Sequence, residues 1–336
     1  MREYLLGTED GLRRMCEENG VWRIKPDVAL KGKKILCGVN FNGRIVAACY
    51  SDGIYISKDS GLAWQKVDDD RFGKVRCLRR ATWNGQKVLF AGTEPVGLYI
   101  SQDGGDSWSE LGKMRKFHKA KKCPSPQASV EPNVRDVVAD GRNGNSLYVA
   151  IQLGGILIGQ QKGEQWEEKR GGLNLHVNRL LMEPSDRTTF YAATEEEGIF
   201  VTEDGGNKWH RCGADFPWTY TIPFEICKPR YLIAGMARGL PSTWAQRESG
   251  AEAVLAVSKD GGASWTALFP GRPLSSMIMD LIFTSSERDS VICATGVTLG
   301  GLAKGTGQLY RVNLDSGRWE LLAGALPGVN LILALQ

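Results

Sequence analysis

Short apolar bursts cut off by glycine turns run along the whole chain. Val88-Leu-Phe-Ala-Gly-Thr-Glu-Pro-Val-Gly-Leu-Tyr-Ile100 and Thr189-Phe-Tyr-Ala-Ala-Thr-Glu-Glu-Glu-Gly-Ile-Phe-Val201 show the unit: an apolar run ending in a small residue, a turn, then a β-branched or aromatic run. Runs of four to six such residues separated by glycine predict antiparallel hairpins.

Each unit leads into a polar box. Ser101-Gln-Asp103-Gly-Gly105-Asp-Ser-Trp108 is matched by Thr202-Glu-Asp204-Gly-Gly206-Asn-Lys-Trp209, Ser258-Lys-Asp260-Gly-Gly262-Ala-Ser-Trp265 and Ser57-Lys-Asp59-Ser-Gly61-Leu-Ala-Trp64. Three further copies have decayed: Gly159-Gln-Gln161-Lys-Gly163-Glu-Gln-Trp166, Asn313-Leu-Asp315-Ser-Gly317-Arg-Trp319 and a bare Gly20-Val-Trp22. The anchoring tryptophans at 22, 64, 108, 166, 209, 265 and 319 are spaced by 42, 44, 58, 43, 56 and 54 residues. Four short strands per period of about 43 residues predict a propeller blade. Seven tryptophans predict seven four-stranded antiparallel blades in an all-β, single domain over 1–336.

The termini are expected to share a blade. Tyr4-Leu-Leu-Gly-Thr-Glu-Asp-Gly corresponds to a second strand, and the missing first strand matches Gly328-Val-Asn-Leu-Ile-Leu-Ala-Leu-Gln336. Blade one would consist of residues 1–24 plus 328–336, with the C-terminal strand innermost and no open sheet edge at the seam.

The boxes resemble the Asp-box, or BNR, repeats of sialidase-like propellers. The longer unit resembles the wider group that holds xyloglucanases, sortilin-type receptors and photosystem II assembly factors. In such proteins the box turn joins the third and fourth strands on the face away from the active site, and fold does not fix activity. The box itself reads as a turn device: Asp accepting backbone N–H bonds, Gly supplying positive φ, Trp packing between blades. One carboxylate per separate turn does not make a metal site.

The candidate site is therefore expected at the other mouth. Three insertions map there: 112–133 between blades three and four, then 237–252 and 297–307 between second and third strands of blades six and seven. Enlarged loops on one face of a rigid scaffold are where binding is usually placed. The starts of the innermost strands bring Arg76, Arg135, Asp136, His176, Asn178, Arg179, Asp280 and Asn330 to this mouth. The loops add Glu9, Asp52, Glu94 and Glu195, and the insertion at 237–252 adds Trp244. Arginine forks hold carboxylates, and facing carboxylates can act as acid and base. Arg76, Arg135, Arg179, Asn178, Asn330, Asp280 and Trp244 are the ligand-binding candidates; Asp136, Glu195, Glu94 and His176 are the candidates for any catalysis. The same polar residues could instead solvate the channel and pair with one another.

The resemblance to sialidases implies an arginine triad, a Tyr–Glu nucleophile pair and an acidic proton donor. Here the Arg-Ile-Pro motif is absent, Trp22-Arg-Ile-Lys-Pro26 carrying an extra lysine, and no tyrosine is evidently placed beside a glutamate at the mouth. The xyloglucanase pattern uses two propellers around a cleft, and this chain has one. The expected function is binding of a small anionic or carbohydrate-like ligand, or of a peptide or protein partner, with a glycosidase- or lyase-type enzyme as the alternative.

Composition narrows the rest. The 336 residues are 42% hydrophobic and 24% charged, with 41 glycines as a turn-rich fold requires, and the net charge of +4 is too small to argue for nucleic acid. The basic loop at 113–123, with Phe117, His118 and Cys123, could meet an anionic ligand or acidic partner, or serve as a solvated insertion. No P-loop, G-x-G-x-x-G, G-x-S-x-G, H-E-x-x-H or zinc spacing is found, so no cofactor and no metal are expected. No run is long enough to cross a bilayer, and the first residues lack the apolar core of a signal peptide. Eight scattered cysteines without C-x-x-C predict reduced core residues of a cytoplasmic protein, and a monomer is expected.

Overall fold

The computed structural model describes residues 2–67, 71–111, 114, 131–140, 146–160, 163–169, 171–284, 288–296 and 307–335. These form seven four-stranded antiparallel sheets. The innermost strands, from the first blade to the seventh, are Val329–Ala334, Ile35–Phe41, Lys74–Trp83, Asn133–Asp140, Val177–Met182, Tyr220–Lys228 and Met277–Phe283. The first blade is closed from inside by the chain's far end. Val329–Ala334 pairs antiparallel with Arg2–Thr8, Leu6 opposite Ile332.

Packing shows why the apolar bursts are so short. Seven apolar clusters hold the core, and each draws its members from two neighbouring blades. One joins the seventh blade to the first, with Ile292 and Leu309 against Tyr4, Leu6, Val329 and Ile332. A second strand, covered on both faces by adjacent blades, reads as a continuous apolar run: Val88 to Ala91 are all buried. The outermost strands need no such run. Gln65–Lys66, Ser109–Glu110 and His210–Arg211 are two residues long and exposed.

The box is a turn held by three elements, one of which its recurrence did not explain. In the third blade Ser101 Oγ bonds to Asp103 Oδ1 (2.8 Å) and accepts the Gly105 N–H (2.8 Å), while Asp103 Oδ1 accepts the Ser107 N–H (2.9 Å). Ser57, Thr202 and Ser258 repeat this, so the leading hydroxyl is the turn's pivot. Hydrogen bonds from Ser264 and Ser258 hold the Asp260 carboxyl down at about 2. The tryptophan closes the device by donating Nε1–H to the carbonyl three residues back: Trp64 to Gly61, Trp108 to Gly105, Trp166 to Gly163, Trp209 to Gly206 and Trp265 to Gly262. In the first and seventh blades Asn19 and Ser316 stand at that position, and the indole nitrogens of Trp22 and Trp319 are buried without a partner.

Among the described residues no cysteine is in a disulfide, and six of the seven are buried. No helix of the described residues is long and apolar enough to cross a membrane. The loop at 113–123, apart from Met114, lies outside the described residues, as do 297–306 and most of 112–133. The segment 237–252 does fall between the second strand, Tyr231–Ala237, and third strand, Val254–Ser258, of the sixth blade.

Candidate functional site

The turns after the second strands lie against the segments leading into the next innermost strand. Gly11 N–H donates to Lys33 O, Gly155 to Leu175 O, Gly198 to Thr219 O and Ala251 to Ser275 O. The box turns instead meet the first hairpins, as where Gly205 N–H reaches Thr188 O and Gly261 N–H reaches Arg230 O. The mouth and the boxes thus occupy opposite faces.

One irregularity organises the mouth. Every innermost strand loses register with its partner near its start, and the residues skipped are Leu36, Arg76, Arg135, Asn178, Ile222 with Pro223, Met279 and Asn330. A β-bulge leaves its extra residue outside the ladder and re-aims its side chain. The seven irregularities lie at equivalent positions, six skipping one residue and that of the sixth blade skipping two. Arg76, Arg135, Asn178 and Asn330 hold bulge positions; Asp136, Arg179 and Asp280 each follow one, and that single step changes what they do.

The residues after the bulges tie strands together. Asp136 accepts N–H bonds from Val137 (2.9 Å) on its own strand and Leu180 (3.0 Å) on the next, and pairs with Arg79 and Arg179. Burial opposes its ionisation, but Arg79, then Arg179 and the Leu180 N–H hold its carboxyl below the usual range. Asp280 repeats the device at the seam, accepting from Leu281 (2.9 Å) and Ile332 (2.6 Å); burial pushes it up to about 6. Arg179 is committed to Glu225, Asp136 and the Phe224 carbonyl. It does not join Arg76 and Arg135. Two bulge residues are ties as well: Asn178 Nδ2 donates to Thr221 O (2.9 Å), and Asn330 Nδ2 to Ile35 O (3.2 Å) and Glu9 (3.0 Å).

Arg76 and Arg135 are left. The Arg76 side chain is only 4% exposed, yet its Nε has no hydrogen-bond partner and the nearest carboxylate, Glu94, stands 3.5 Å away. Glu94 is itself engaged by Lys74 at 2.8 Å. Burial, reinforced by Arg135, pushes the Arg76 guanidinium down to about 10. Tyr50 is surrounded by the cations of Lys34, Lys74 and Arg76, each within 6 Å of its ring centre. Arg135 is half-buried and makes no ion pair with any described residue.

Tyr220 is the first residue of the sixth innermost strand. Burial raises its hydroxyl pKa, Glu195 adds to this, and Arg135 and Arg76 oppose it, so all four groups share one electrostatic neighbourhood. The sequence singled out no tyrosine near a glutamate at the mouth; the Tyr220 hydroxyl is coupled electrostatically to Glu195. The available signal was positional: Tyr220 begins its strand as Asn133 begins the fourth. Glu195 ends a buried polar chain: Asn133 donates to Gln152 (3.0 Å), Gln152 to Glu195, and His176 Nδ1 lies 3.3 Å from the second carboxylate oxygen. Glu195 raises the His176 pKa against its burial. A histidine whose folded pKa is raised contributes stability that is full below about 6.5 and is lost as pH rises through the folded value. Unfolding free energy is expected to decline above about pH 6.5, and Glu195→Gln should flatten this slope in denaturant titrations.

The remaining candidates have other partners. Glu9 pairs with Lys34 (2.9 Å). Asp52 is held by Lys33, Lys66 and the Tyr55 hydroxyl, whose hydrogen bonds keep it far below the carboxylate range. Trp244 closes the short helix Pro241–Trp244, donates its indole N–H to Arg238 O (3.0 Å) and meets Tyr220 edge-on at 5.3 Å. No cluster of metal-ligating side chains occurs among the described residues.

Comparisons with known proteins agree with this fold. The family described as sortilin, neurotensin receptor 3 (Sortilin-Vps10), a BNR-like propeller group, matches residues 154–299. The chain is 22% identical over 249 residues to an oligoxyloglucan reducing end-specific xyloglucanase of Emericella nidulans, covering 69% of this chain and 28% of that enzyme. Among solved structures, YCF48 bound to a D1 peptide superposes with a TM-score of 0.59 at 13% identity, over 88% of this chain and 86% of that one. The periplasmic gluconolactonase PpgL of Pseudomonas aeruginosa gives 0.69 at 11%, over 99% and 98%. An ancestral GH74 enzyme gives 0.60 at 14%, over 89% of this chain and 38% of its own.

Proposed function

We propose that the protein is a BNR-like propeller that binds a carboxylate-bearing ligand at the mouth of its channel, between Arg76 and Arg135, with the Tyr220 hydroxyl as a third donor. The observation that carries this reading is the buried guanidinium of Arg76, whose Nε makes no hydrogen bond and whose carboxylate neighbour Glu94, 3.5 Å away, is shared with Lys74, together with Arg135, which makes no ion pair with any described residue. Burying a cation whose one carboxylate, Glu94, is shared with Lys74 is costly, and the half-buried cation of Arg135 adds to that cost; an anion on both relieves each. Arginine forks suit carboxylates, whether on a small molecule or a peptide. The peptide complex of YCF48 makes the second source reasonable for a propeller of this size.

The test is a thermal-shift and calorimetric screen of carboxylates. A hit should raise the melting temperature of the native protein, and Arg135→Gln should weaken it by roughly 30- to 150-fold, the loss of one charged hydrogen-bonding partner worth about 2–3 kcal/mol. Binding that survives Arg135→Gln unchanged would overturn the reading. A second reading, an enzyme of glycosidase or lyase type, draws on the buried Glu195–His176 pair beside Tyr220, since a carboxylate, an imidazole and a phenol can move protons. The chain spans 28% of the length of the xyloglucanase it matches, so that enzyme's activity is not carried over. Turnover in the same screen, lost in Glu195→Gln with binding retained, would favour the enzyme.

A further inference from the structure

We infer that the ligand is a small carboxylate attached to an apolar body, not to a polyhydroxylated one. This rests on the carboxylate reading above and narrows it. The seven bulge positions are not evenly polar. Around the ring they run Asn330, Leu36, Arg76, Arg135, Asn178, Ile222 with Pro223, and Met279. The two cations sit on blades three and four. In a ring of seven, the position facing the middle of that pair belongs to blade seven, the apolar Met279; it is flanked by Ile222 with Pro223 on blade six and by Asn330 on blade one, whose amide is spent on Glu9 and Ile35 O. Ile222 and Met279 are half-buried and rest on the cluster between those blades, leaving part of each side chain uncovered. The sixth blade adds the ring of Tyr220 with Trp244 edge-on beside it, and the Trp244 N–H is consumed by main-chain carbonyls.

Polar side chains that a sugar would need are spent elsewhere. Asn178 and Asn330 donate to the carbonyls of neighbouring innermost strands, and Asp136 and Asp280 accept their N–H groups. Glu195 is occupied by Gln152 and His176. A hydroxylated body facing Ile222 and Met279 would lose water and find no replacement hydrogen bonds, whereas a hydrocarbon body would gain from leaving water. The mouth therefore matches an anion at one side and hydrocarbon at the other.

The experiment compares carboxylates of equal charge by calorimetry on the full chain: acetate, butanoate, hexanoate, and gluconate as the hydroxylated six-carbon counterpart of hexanoate. Affinity is expected to rise by up to about fourfold per methylene buried, and hexanoate should bind at least tenfold more tightly than gluconate. Met279→Ser should narrow the ratio of hexanoate to acetate affinity by roughly fivefold, while Arg135→Gln weakens the whole series together. Gluconate binding as tightly as hexanoate, with loss in Arg135→Gln, would overturn this inference and leave the carboxylate reading standing. A series in which no carboxylate binds would overturn both. Should Met279→Ser unfold, Ile222→Thr tests the same arc.

Discussion

Deleting residues 328–336 is expected to abolish cooperative melting and leave aggregated protein. The segment contributes Val329, Leu331 and Ile332, which are 0%, 8% and 4% exposed, to the clusters on both sides of the first blade. Full burial of three such side chains stabilises by roughly 5–9 kcal/mol, comparable to the 5–15 kcal/mol that holds a whole domain. Its loss also exposes the unpaired edge of Arg2–Thr8, a template for pairing between chains. Differential scanning calorimetry with light scattering reads both effects. Moving the segment ahead of residue 2 through a tight turn should restore the transition, because Leu335 N–H already donates to Glu3 O and the two ends adjoin. A deletion that still melts as the native protein does would refute the seam's role.

The second large effect is expected at Asp136. Asp136→Ala removes the acceptor of the Leu180 N–H and the carboxylate shared by Arg79 and Arg179. Removing one partner of a buried ion pair costs about 3–5 kcal/mol, because the remaining charge stays in place without compensation. The cost should be largely recovered in Asp136→Ala combined with Arg79→Met, which removes the stranded cation; urea denaturation of both variants reads the difference. Near-native stability in the single variant would show that Arg79 finds another partner. Because Asp136 lies one residue past the bulge, the loss should appear in stability first.

Much of the architecture was legible because repetition makes it so. One box alone is a turn; seven tryptophans at related spacing set the number of blades, and a strand pattern left over at each end implied that they meet. The decayed boxes were readable for the same reason, since Trp22 and Trp319 keep their place between blades after losing the glycine carbonyl that would have accepted their indole N–H. The hydroxyl that starts each box was visible in every intact copy, but its role needed the geometry: it pins both the Asp and the Gly N–H.

The site was legible only as an assortment of residues. Arg76, Arg135 and Arg179 look alike when each is counted from the start of its strand, yet the first two lie on bulges and the third just beyond one. A bulge displaces a side chain by one place in the ladder, and the periodicity of a short apolar strand is too brief to reveal it. Tyr220 was missed because its importance comes from Glu195, Arg135 and Arg76 on other blades, at sequence separations no local motif spans.

The sequence by itself determined the blade count, the four-stranded unit, the two faces and the closure of the ring. The blade count, the unit and the closure follow from local turn chemistry and hydrophobic pattern repeated along the chain, and the two faces from the resemblance of the boxes to Asp-box propellers. Only the tertiary structure decided which polar residues tie strands and which are left to a ligand. Whether a guanidinium is satisfied depends on what the neighbouring blades bring to it. Asp136 reaches Arg79 and Arg179 from adjacent strands, and Arg76, three residues before Arg79, finds no equivalent acceptor for its Nε.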